Sequence, residues 1–219
     1  LHFFFNCNND IFQNFESLKK SNQMRKSLKN PSYQEKYFFS SPYKIKPLLK
    51  DIQKKEGFPC VYFSFSRRRC EELAGELTSL ELLNRYQQKQ IMQQFNKLLE
   101  KFSITRSPHI NLLTPLIKRG IAYHHAGLLP TIKEIVERLF TTGLIKLIFT
   151  TETFALGINM PAKSVVFDAL SKFYGHYYGY LKTRDFYQMA GRAGRRGLDK
   201  EGYVYSRVNP SHIDISSLE

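Results

Sequence analysis

The sequence predicts an α/β protein in which a mostly parallel, doubly wound β-sheet carries helices on both faces. Two observations predict this class. Short apolar runs of β-forming residues alternate along the chain with stretches in which apolar residues recur at the helical spacing i, i+3, i+4 and i+7. Parallel strands need crossover connections, which are usually helices that cover the sheet. The composition agrees, because 42% of the 219 residues are hydrophobic and 24% are charged, as in globular proteins.

The first elements are defined by their apolar residues and their boundary signals. Residues 45–56 predict a helix with one apolar face and a glycine after its last basic turn. The apolar run at 60–64 predicts a strand, and Ser66 has the side chain of an N-cap for a following helix. A long amphipathic helix and a second helix that begins at Pro108 predict a helical insertion over residues 79–119.

After the insertion the alternation of strands and helices resumes. Residues 130–142 predict a helix that ends at Gly143, and residues 183–190 predict another. In sheets of this kind, ligands bind where loops leave the carboxyl ends of the strands. We therefore expect binding residues in the loops that follow Ser64, His124, Thr150 and Leu170. The predicted strands of this part are residues 121–124, 144–150, 164–170 and 202–206.

The charge balance indicates a polyanionic partner. Lys and Arg number 33 against 19 Asp and Glu, a formal net charge of +14, and an excess of this size favours nucleic acid. The three cysteines, Cys7, Cys60 and Cys70, lack CxxC spacing, so the sequence predicts neither a disulfide framework nor a zinc site and favours a reducing, intracellular compartment. No stretch approaches the roughly 20 apolar residues of a membrane span, so we expect no membrane partner.

The strongest chemical signal is the segment 188–197 (QMAGRAGRRG). Arg192 and Arg195 are three residues apart, and each directly follows a glycine. Two guanidinium groups can then lie on one side of a turn, while the glycines allow the backbone to approach a bulky anion. Arginine forks can grip phosphate oxygens and stabilise the charge of a leaving γ-phosphoryl group. Taken alone, the pattern also fits a basic glycine-rich turn without a ligand.

Four segments in order resemble the second RecA-like domain of superfamily 2 helicases. They are most similar to DExH-box RNA helicases of the superkiller and exosome-associated type, with the archaeal DNA-unwinding relatives close by, and the resemblance covers about residues 45–207. The segments are 61–67 (VYFSFSR), which resembles motif IV; 124–130 (HHAGLLP), the block after it; 149–161 (FTTETFALGINMP), which resembles motif V; and 188–197, which resembles motif VI.

This resemblance implies that the chain is the C-terminal motor half of an ATP-dependent helicase. ATP would lie between two RecA-like domains, and the first domain would supply the phosphate-binding loop and the acidic Mg²⁺-binding motif. This sequence contains neither GxxxxGK[ST] nor a DExH quartet, so we expect no ATPase activity from the chain alone. Arg192 and Arg195 resemble the arginine fingers, and Gln188, Gly157 and Asn159 would also face ATP. No other small-molecule substrate is expected.

The resemblance also implies contacts to a nucleic-acid strand. Ser66 and Arg67, with the backbone around His125–Gly127, resemble the residues that hold the phosphodiester backbone. Thr151 and Glu152 would lie toward the strand. Such contacts carry little base preference and depend strongly on salt. RNA is the expected partner, and DNA stays an alternative because phosphate contacts barely distinguish the two.

The resemblance further implies a domain organisation. Residues 1–44 would be a linker, or a segment leading in from a first motor domain that is absent from this sequence, and they include a predicted strand at 1–5 and a predicted helix at 11–28. Residues 45–219 would be the helicase C-terminal domain, with its insertion at about 79–119. The protein would be intracellular, cytoplasmic or, in a eukaryote, nuclear.

Three alternatives accompany this interpretation. The first alternative is a non-catalytic basic module that binds RNA or a partner protein through a degenerate motor fold, although such a module has no need of arginines spaced for phosphates. His124 and His125 are adjacent in a strand and point to opposite faces, so they predict no metal site. The tyrosines of the stretch 174–180 either stack on bases or pack on their own domain.

Overall fold

A computed structural model describes residues 2–6, 45–104, 107–153 and 161–207, with side chains from residue 45 onward. Eight strands and six helices lie within these ranges. The helix predicted at 11–28 falls outside them. The elements are β1 (His2–Asn6), α1 (Ile45–Lys54), β2 (Cys60–Phe63), α2 (Arg67–Gly75), α3 (Arg85–Lys101), α4 (Pro108–Ile117), β3 (Ile121–His124), α5 (Pro130–Thr141), β4 (Leu147–Thr150), β5 (Ser164–Phe167), β6 (Ser171–Phe173), β7 (Tyr178–Tyr180), α6 (Thr183–Ala190) and β8 (Tyr203–Arg207).

Six strands form one sheet in the order β1-β8-β5-β2-β4-β3, and every neighbouring pair is parallel. The carboxyl ends of these strands therefore lie along one edge, which we call the carboxyl edge, and their amino ends lie along the opposite edge, the amino edge. The predicted α/β class with a mostly parallel sheet is confirmed.

The sheet forms the centre of the core. Every residue of β2, β3, β4 and β5 is buried. Side chains of a strand alternate between the two faces, so continuous burial means that both faces are covered. The helices supply this cover with apolar residues that are themselves buried, among them Ile52 of α1, Leu73 of α2 and Ile135 of α5.

Three predicted helix boundaries are confirmed, whereas the helix predicted over residues 45–56 ends at Lys54. The Ser66 hydroxyl accepts a hydrogen bond from the Arg69 N–H at 3.4 Å and caps α2. Pro108 occupies the first turn of α4, and α5 ends before Gly143, whose φ is +73°. Two predicted strands are shorter in the structure: the strand at 164–170 ends at Phe167, and the strand at 144–150 begins at Leu147.

A second, two-stranded sheet was missed by the sequence analysis. Strands β6 and β7 pair antiparallel, with Ser171 opposite Tyr180 and Phe173 opposite Tyr178. The sequence analysis treated this stretch as a loop because its residues show no buried apolar alternation. The aromatic side chains at its surface are mostly exposed, and β6 and β7 form a hairpin separate from the six-stranded sheet.

Two further predictions concern the cysteines and the membrane. Cys60 and Cys70 are buried free thiols, whereas Cys7 lies outside the described residues. Burial raises the pKa of the Cys70 thiol to about 12, so it stays protonated and unreactive at neutral pH.

Among the described helices, none has both the length and the apolar character needed to cross a bilayer.

Candidate functional site

Three of the loops predicted to carry binding residues lie side by side at the carboxyl edge. Strands β2, β4 and β3 are consecutive neighbours in the sheet, so the loops that follow them are adjacent. A Cβ added to Gly127, after β3, would stand 3.4 Å from the Cδ of Arg67, after β2. The structure therefore brings together the predicted strand-binding residues Ser66, Arg67, His125, Gly127 and Thr151.

Arg67 is the outward-facing cation of this group. Ser66 and Arg67 are both exposed, and within the described part of the chain no carboxylate forms an ion pair with Arg67. The next residue, Arg68, is held by Glu72, whose Oε1 lies 2.7 Å from the arginine Nε. Cations at the start of a helix oppose the helix dipole, so the exposed Arg67 guanidinium gains from an anion at this position.

The His125 side chain shapes its own loop. Its Nδ1 accepts a hydrogen bond from the Gly127 N–H at 3.1 Å, so the proton of the neutral ring is on Nε2, which donates to Glu71 Oε1 at 2.9 Å. Burial lowers the pKa of His125 and outweighs the opposing effect of Glu71, so the ring is neutral at pH 7. The Gly127 amide is therefore already engaged within the protein.

The two polar residues after β4 have different surroundings. The Thr151 hydroxyl lies 3.0 Å from the hydroxyl of Thr153 at the surface. Glu152, predicted to lie toward a nucleic-acid strand, instead accepts a hydrogen bond from the Lys172 ammonium group of the hairpin. Thr151 is therefore placed to contact a ligand at the carboxyl edge, while the Glu152 carboxylate is bound to another part of the domain.

The segment Gly191–Gly197, which we call the arginine turn, lies at the amino edge. The Gly194 N–H donates to the Ala162 carbonyl at 2.7 Å, and the Ala162 N–H donates to the Arg192 carbonyl at 2.9 Å. Ala162 precedes β5 by two residues, so these bonds fix the turn beside the amino end of β5. The sequence alone does not show that the arginine turn and the loops after β2, β3 and β4 lie at opposite edges of the sheet.

Two glycines allow the arginine turn its close packing. Gly194 has a φ of +86°, a conformation that residues with a side chain rarely adopt. A Cβ added to Gly202, just before β8, would stand 2.6 Å from the Gly194 nitrogen. A larger residue at either position would push the turn away from the sheet.

Arg195 is held by an aspartate that the sequence analysis did not identify. Its Nε and Nη2 donate to the two carboxylate oxygens of Asp199 at 2.7 and 2.8 Å, and its backbone N–H also donates to Asp199, at 3.0 Å. These hydrogen bonds raise the pKa of Arg195 and lower the pKa of Asp199. Within the described residues, the contacts of Arg195 leave Nη1 unoccupied, so this nitrogen can donate to a further anion.

The other predicted nucleotide-side residues are only partly described. Arg192 is half-buried in the arginine turn, and Gln188 is half-buried on α6. Gly157 and Asn159 lie outside the described residues. The segment 149–161, which we call the motif V segment, begins with the last two residues of β4 at the carboxyl edge, and the residue that follows it, Ala162, is hydrogen-bonded to the arginine turn.

The chemistry of the arginine turn suits an anion rather than a cation. It presents guanidinium groups, and the Lys146 ammonium group lies close enough for Arg195 to contribute to a lowering of its pKa, although burial is the larger cause. Across the described ranges, no group of three or more His, Cys, Asp or Glu side chains could hold a metal ion. The residues present therefore fit a polyphosphate, and they do not form a magnesium site.

Three important groups went unnoticed in the sequence: Asp199, the buried Lys172, and a pair at the carboxyl edge formed by Asp168 and Arg207. Asp199 follows Arg195 by four residues, a spacing that could have been recognised. The partners of Lys172 and Arg207 are distant in the chain, so no local pattern indicates them.

Comparison with known proteins supports the resemblance. The sequence model described as "Helicase conserved C-terminal domain" matches residues 43–197. The chain is 48% identical over 182 residues to "DExH-box ATP-dependent RNA helicase DExH10" of Arabidopsis thaliana, covering 82% of this chain and 18% of that protein. It is 42% identical over 170 residues to "ATP-dependent RNA helicase mtr4" of Schizosaccharomyces pombe, covering 77% and 15%.

A third relative is "Superkiller complex protein 2" of Homo sapiens, which is 45% identical over 159 residues, covering 72% of this chain and 13% of that protein. The chain thus spans less than a fifth of the length of these relatives. The family match covers most of the parallel sheet and both candidate surfaces, from α1 to the end of the arginine turn. The chain belongs to the helicase conserved C-terminal domain family, in its DExH-box branch.

Proposed function

We propose that the chain is the C-terminal motor half of an ATP-dependent RNA helicase. The observation that carries this proposal is the presence of two candidate binding surfaces at opposite edges of one sheet, joined by the motif V segment. One surface presents exposed cations and hydroxyls, and the other presents a guanidinium turn suited to phosphates. The names of the relatives, ATP-dependent RNA helicases, support RNA as the strand and ATP as the nucleotide.

On the nucleotide side, the arginine turn would complete a pocket formed with a first RecA-like domain. Arg195, oriented by Asp199, would direct its Nη1 at the γ-phosphate, and Arg192 would supply a second guanidinium. Both groups would stabilise the charge that develops as the phosphoryl group leaves. Gln188, Gly157 and Asn159 would contact the rest of the nucleotide, and carboxylates of the first domain would hold Mg²⁺, which neutralises phosphate charge.

On the strand side, the carboxyl edge would bind the phosphodiester backbone. Arg67 supplies an exposed charge, and Ser66 and Thr151 supply hydroxyl donors. The loop 125–127 keeps its shape through the His125 ring. Contacts of this kind recognise phosphate and carry little sequence information, which suits a motor that moves along any sequence. Glu152 would make no direct contact with the strand, because its carboxylate is bound to Lys172.

The test uses a polypeptide in which a first RecA-like domain, with its phosphate-binding loop and DExH quartet, precedes this chain. Arg195→Ala should lower RNA-stimulated ATP turnover by about 10³-fold, the scale of arginine fingers, and Arg192→Ala should have an effect of similar kind. Arg196→Ala removes an exposed arginine of the same turn and should leave turnover within about twofold of the parent, as surface substitutions usually do.

Near-normal turnover in Arg195→Ala would reject the arginine-finger assignment. If the two-domain protein bound RNA but hydrolysed no ATP, the alternative of a non-catalytic RNA-binding module would be favoured instead. The chain without a first domain should bind RNA weakly and show no RNA-stimulated ATPase activity, and robust turnover by that chain would contradict the two-domain account.

A further inference from the structure

The hairpin formed by β6 and β7 contains a buried cation. Lys172 is only 8% exposed, whereas the aromatic residues Phe173, Tyr178 and Tyr180 of the same hairpin are 41–53% exposed. An ammonium group is costly to bury unless it is paired and hydrogen-bonded. Its partners therefore show what the hairpin is attached to.

Lys172 binds two carboxylates from two different segments. Its Nζ donates to Glu152 and lies 3.1 Å from Oδ2 of Asp185. It also lies 4.5 Å from the centre of the Tyr174 ring, and the Tyr174 hydroxyl donates to the same Asp185 oxygen at 3.3 Å. Burial alone lowers the pKa of Lys172, but the hydrogen bonds to the two carboxylates outweigh it and raise the pKa, so the group stays charged.

The two carboxylates lie in the segments that lead to the two candidate surfaces. Glu152 lies in the motif V segment, next to Thr151 at the carboxyl edge. Asp185 lies in the first turn of α6, and the last residue of that helix, Ala190, leads directly into the arginine turn. A helix of eight residues is about 12 Å long, so α6 spans the distance from Asp185 to the arginine turn. One ammonium group thus connects the strand side to the element that carries the arginines.

We propose that Lys172 is a positioning residue that couples the nucleic-acid surface to the arginine turn. A nucleic-acid strand that binds beside Thr151 shifts the Glu152 side chain. Lys172 passes this shift to Asp185, and α6 carries it to Arg192 and Arg195. Two ligands influence each other only through contacts that differ between the states they favour. The bridge through Lys172 is such a contact. The inference rests on the proposed function and adds the route by which its two ligands communicate.

The test measures coupling in the polypeptide that carries both motor domains. The coupling factor is the ratio of the dissociation constants of a fluorescent oligouridylate without and with a non-hydrolysable ATP analogue. Coupling factors between linked sites are typically about 5–150. Lys172→Met should bring the factor to within about twofold of one, while the oligouridylate affinity without nucleotide changes by less than about threefold. Lys172→Arg keeps the charge and should keep most of the coupling.

Lys182→Met is the matched control. Lys182 is exposed and lies 5.0 Å from the centre of the same Tyr174 ring, but it makes no ion pair within the described ranges. It should leave the coupling factor unchanged. If Lys172→Met does not fold, the triple variant K172M/E152Q/D185N removes the cluster without stranding a buried charge and supplies the same comparison.

An unchanged coupling factor in folded Lys172→Met would overturn the inference. So would a loss of thermal stability with both ligand affinities weakened in equal proportion, since that result indicates a structural role alone. A two-domain parent that binds no oligouridylate, or binds it without regard to nucleotide, would reject the proposed function itself. Strong coupling in the parent that persists in Lys172→Met rejects only the role of Lys172.

Discussion

The two edges of the sheet hold their arginines in different ways. At the carboxyl edge, Arg69 and Arg207 both turn onto Asp168, and the Arg207 side chain is only 2% exposed. At the amino edge, Arg195 pairs with Asp199 and keeps 28% of its side chain exposed. The first arrangement uses arginines to hold strands together. The second orients an arginine and leaves it within reach of a ligand.

Arg207 belongs to a buried polar network. The Tyr62 hydroxyl donates to Asp168 Oδ1 at 2.6 Å, and Arg207 Nη1 donates to both Tyr62 and Asp168. Burial is the largest cause that raises the pKa of Tyr62, so its hydroxyl stays protonated. The network joins β2, β5, β8 and, through Arg69, α2. These hydrogen bonds and ion pairs therefore hold the strands together beneath the exposed residues of the carboxyl edge.

The largest effect is expected from a substitution that breaks this network. Asp168→Ala leaves the Arg207 guanidinium buried without its carboxylate, and removing one partner of a buried ion pair costs about 3–5 kcal/mol. We expect a loss of that size in the free energy of unfolding, measured by urea denaturation of the chain. Glu134→Ala removes an exposed partner of Arg138 on α5 and should cost under about 1 kcal/mol. Equal small losses in both variants would contradict the comparison.

A smaller effect sharpens the contrast at the amino edge. Asp199→Ala removes the carboxylate that orients the Arg195 guanidinium. Misplacement of a catalytic group by about 1 Å can cost about 10²-fold in rate. We expect ATP turnover of the two-domain protein to fall by about that factor. The exposed neighbour Lys200 provides the control variant Lys200→Ala. Unchanged turnover in Asp199→Ala would show that Asp199 does not orient Arg195 for catalysis.

The third prediction is that the two edges lose stability in different pH ranges. Burial is the largest cause that lowers the pKa of His124 and His125, which contact Glu137 and Glu71. The unfolded chain, with histidine pKa values near 6.5, takes up protons first as pH falls. These histidines therefore contribute stability above about pH 6.5 that is lost on acidification, by at most about 1.4 kcal/mol per pH unit for each.

The Arg195–Asp199 pair responds in a lower pH window. Because the hydrogen bond from Arg195 lowers the pKa of Asp199, the pair contributes stability above the unfolded aspartate value of about 3.9 and loses it below.

The histidine effect is measured by urea denaturation from pH 7.5 to 5. The free energy of unfolding should fall with pH, and the double variant H124Q/H125Q should reduce the slope of that fall. His176→Gln, at an exposed histidine of the hairpin, should leave the slope intact. An equal slope in both variants would contradict the assignment.

The smallest expected effect concerns the exposed arginine of the carboxyl edge. Arg67→Ala should reduce the dependence of log affinity on log salt by about 0.7 for a single-stranded oligouridylate, the contribution of one phosphate contact. Arg68→Ala is the matched control because Arg68 is already paired with Glu72. The measurement is a fluorescence anisotropy titration at several salt concentrations. Equal slopes for the two variants would place the strand away from Arg67.

Much of the fold could be predicted from local pattern. The helix α6 was predicted at its observed residues, 183–190, and α5 to within one residue. These elements have apolar residues at one spacing and clear end signals, so neighbours in the chain determine them. The hairpin was missed because its aromatic residues remain exposed and its one buried residue is a lysine. Its burial depends on carboxylates that lie elsewhere in the chain.

The sequence by itself determined the fold class, the family and the chemical candidates, above all Arg192 and Arg195, because these depend on residue type and spacing. Only the tertiary structure decided that the arginines lie at the edge opposite the loops predicted to bind a nucleic-acid strand, and which carboxylate holds each cation. Tyr62 and Arg207 are 145 positions apart and form one hydrogen bond. A charge is paired by whatever the packed strands and helices bring near it, and local periodicity carries no record of that choice.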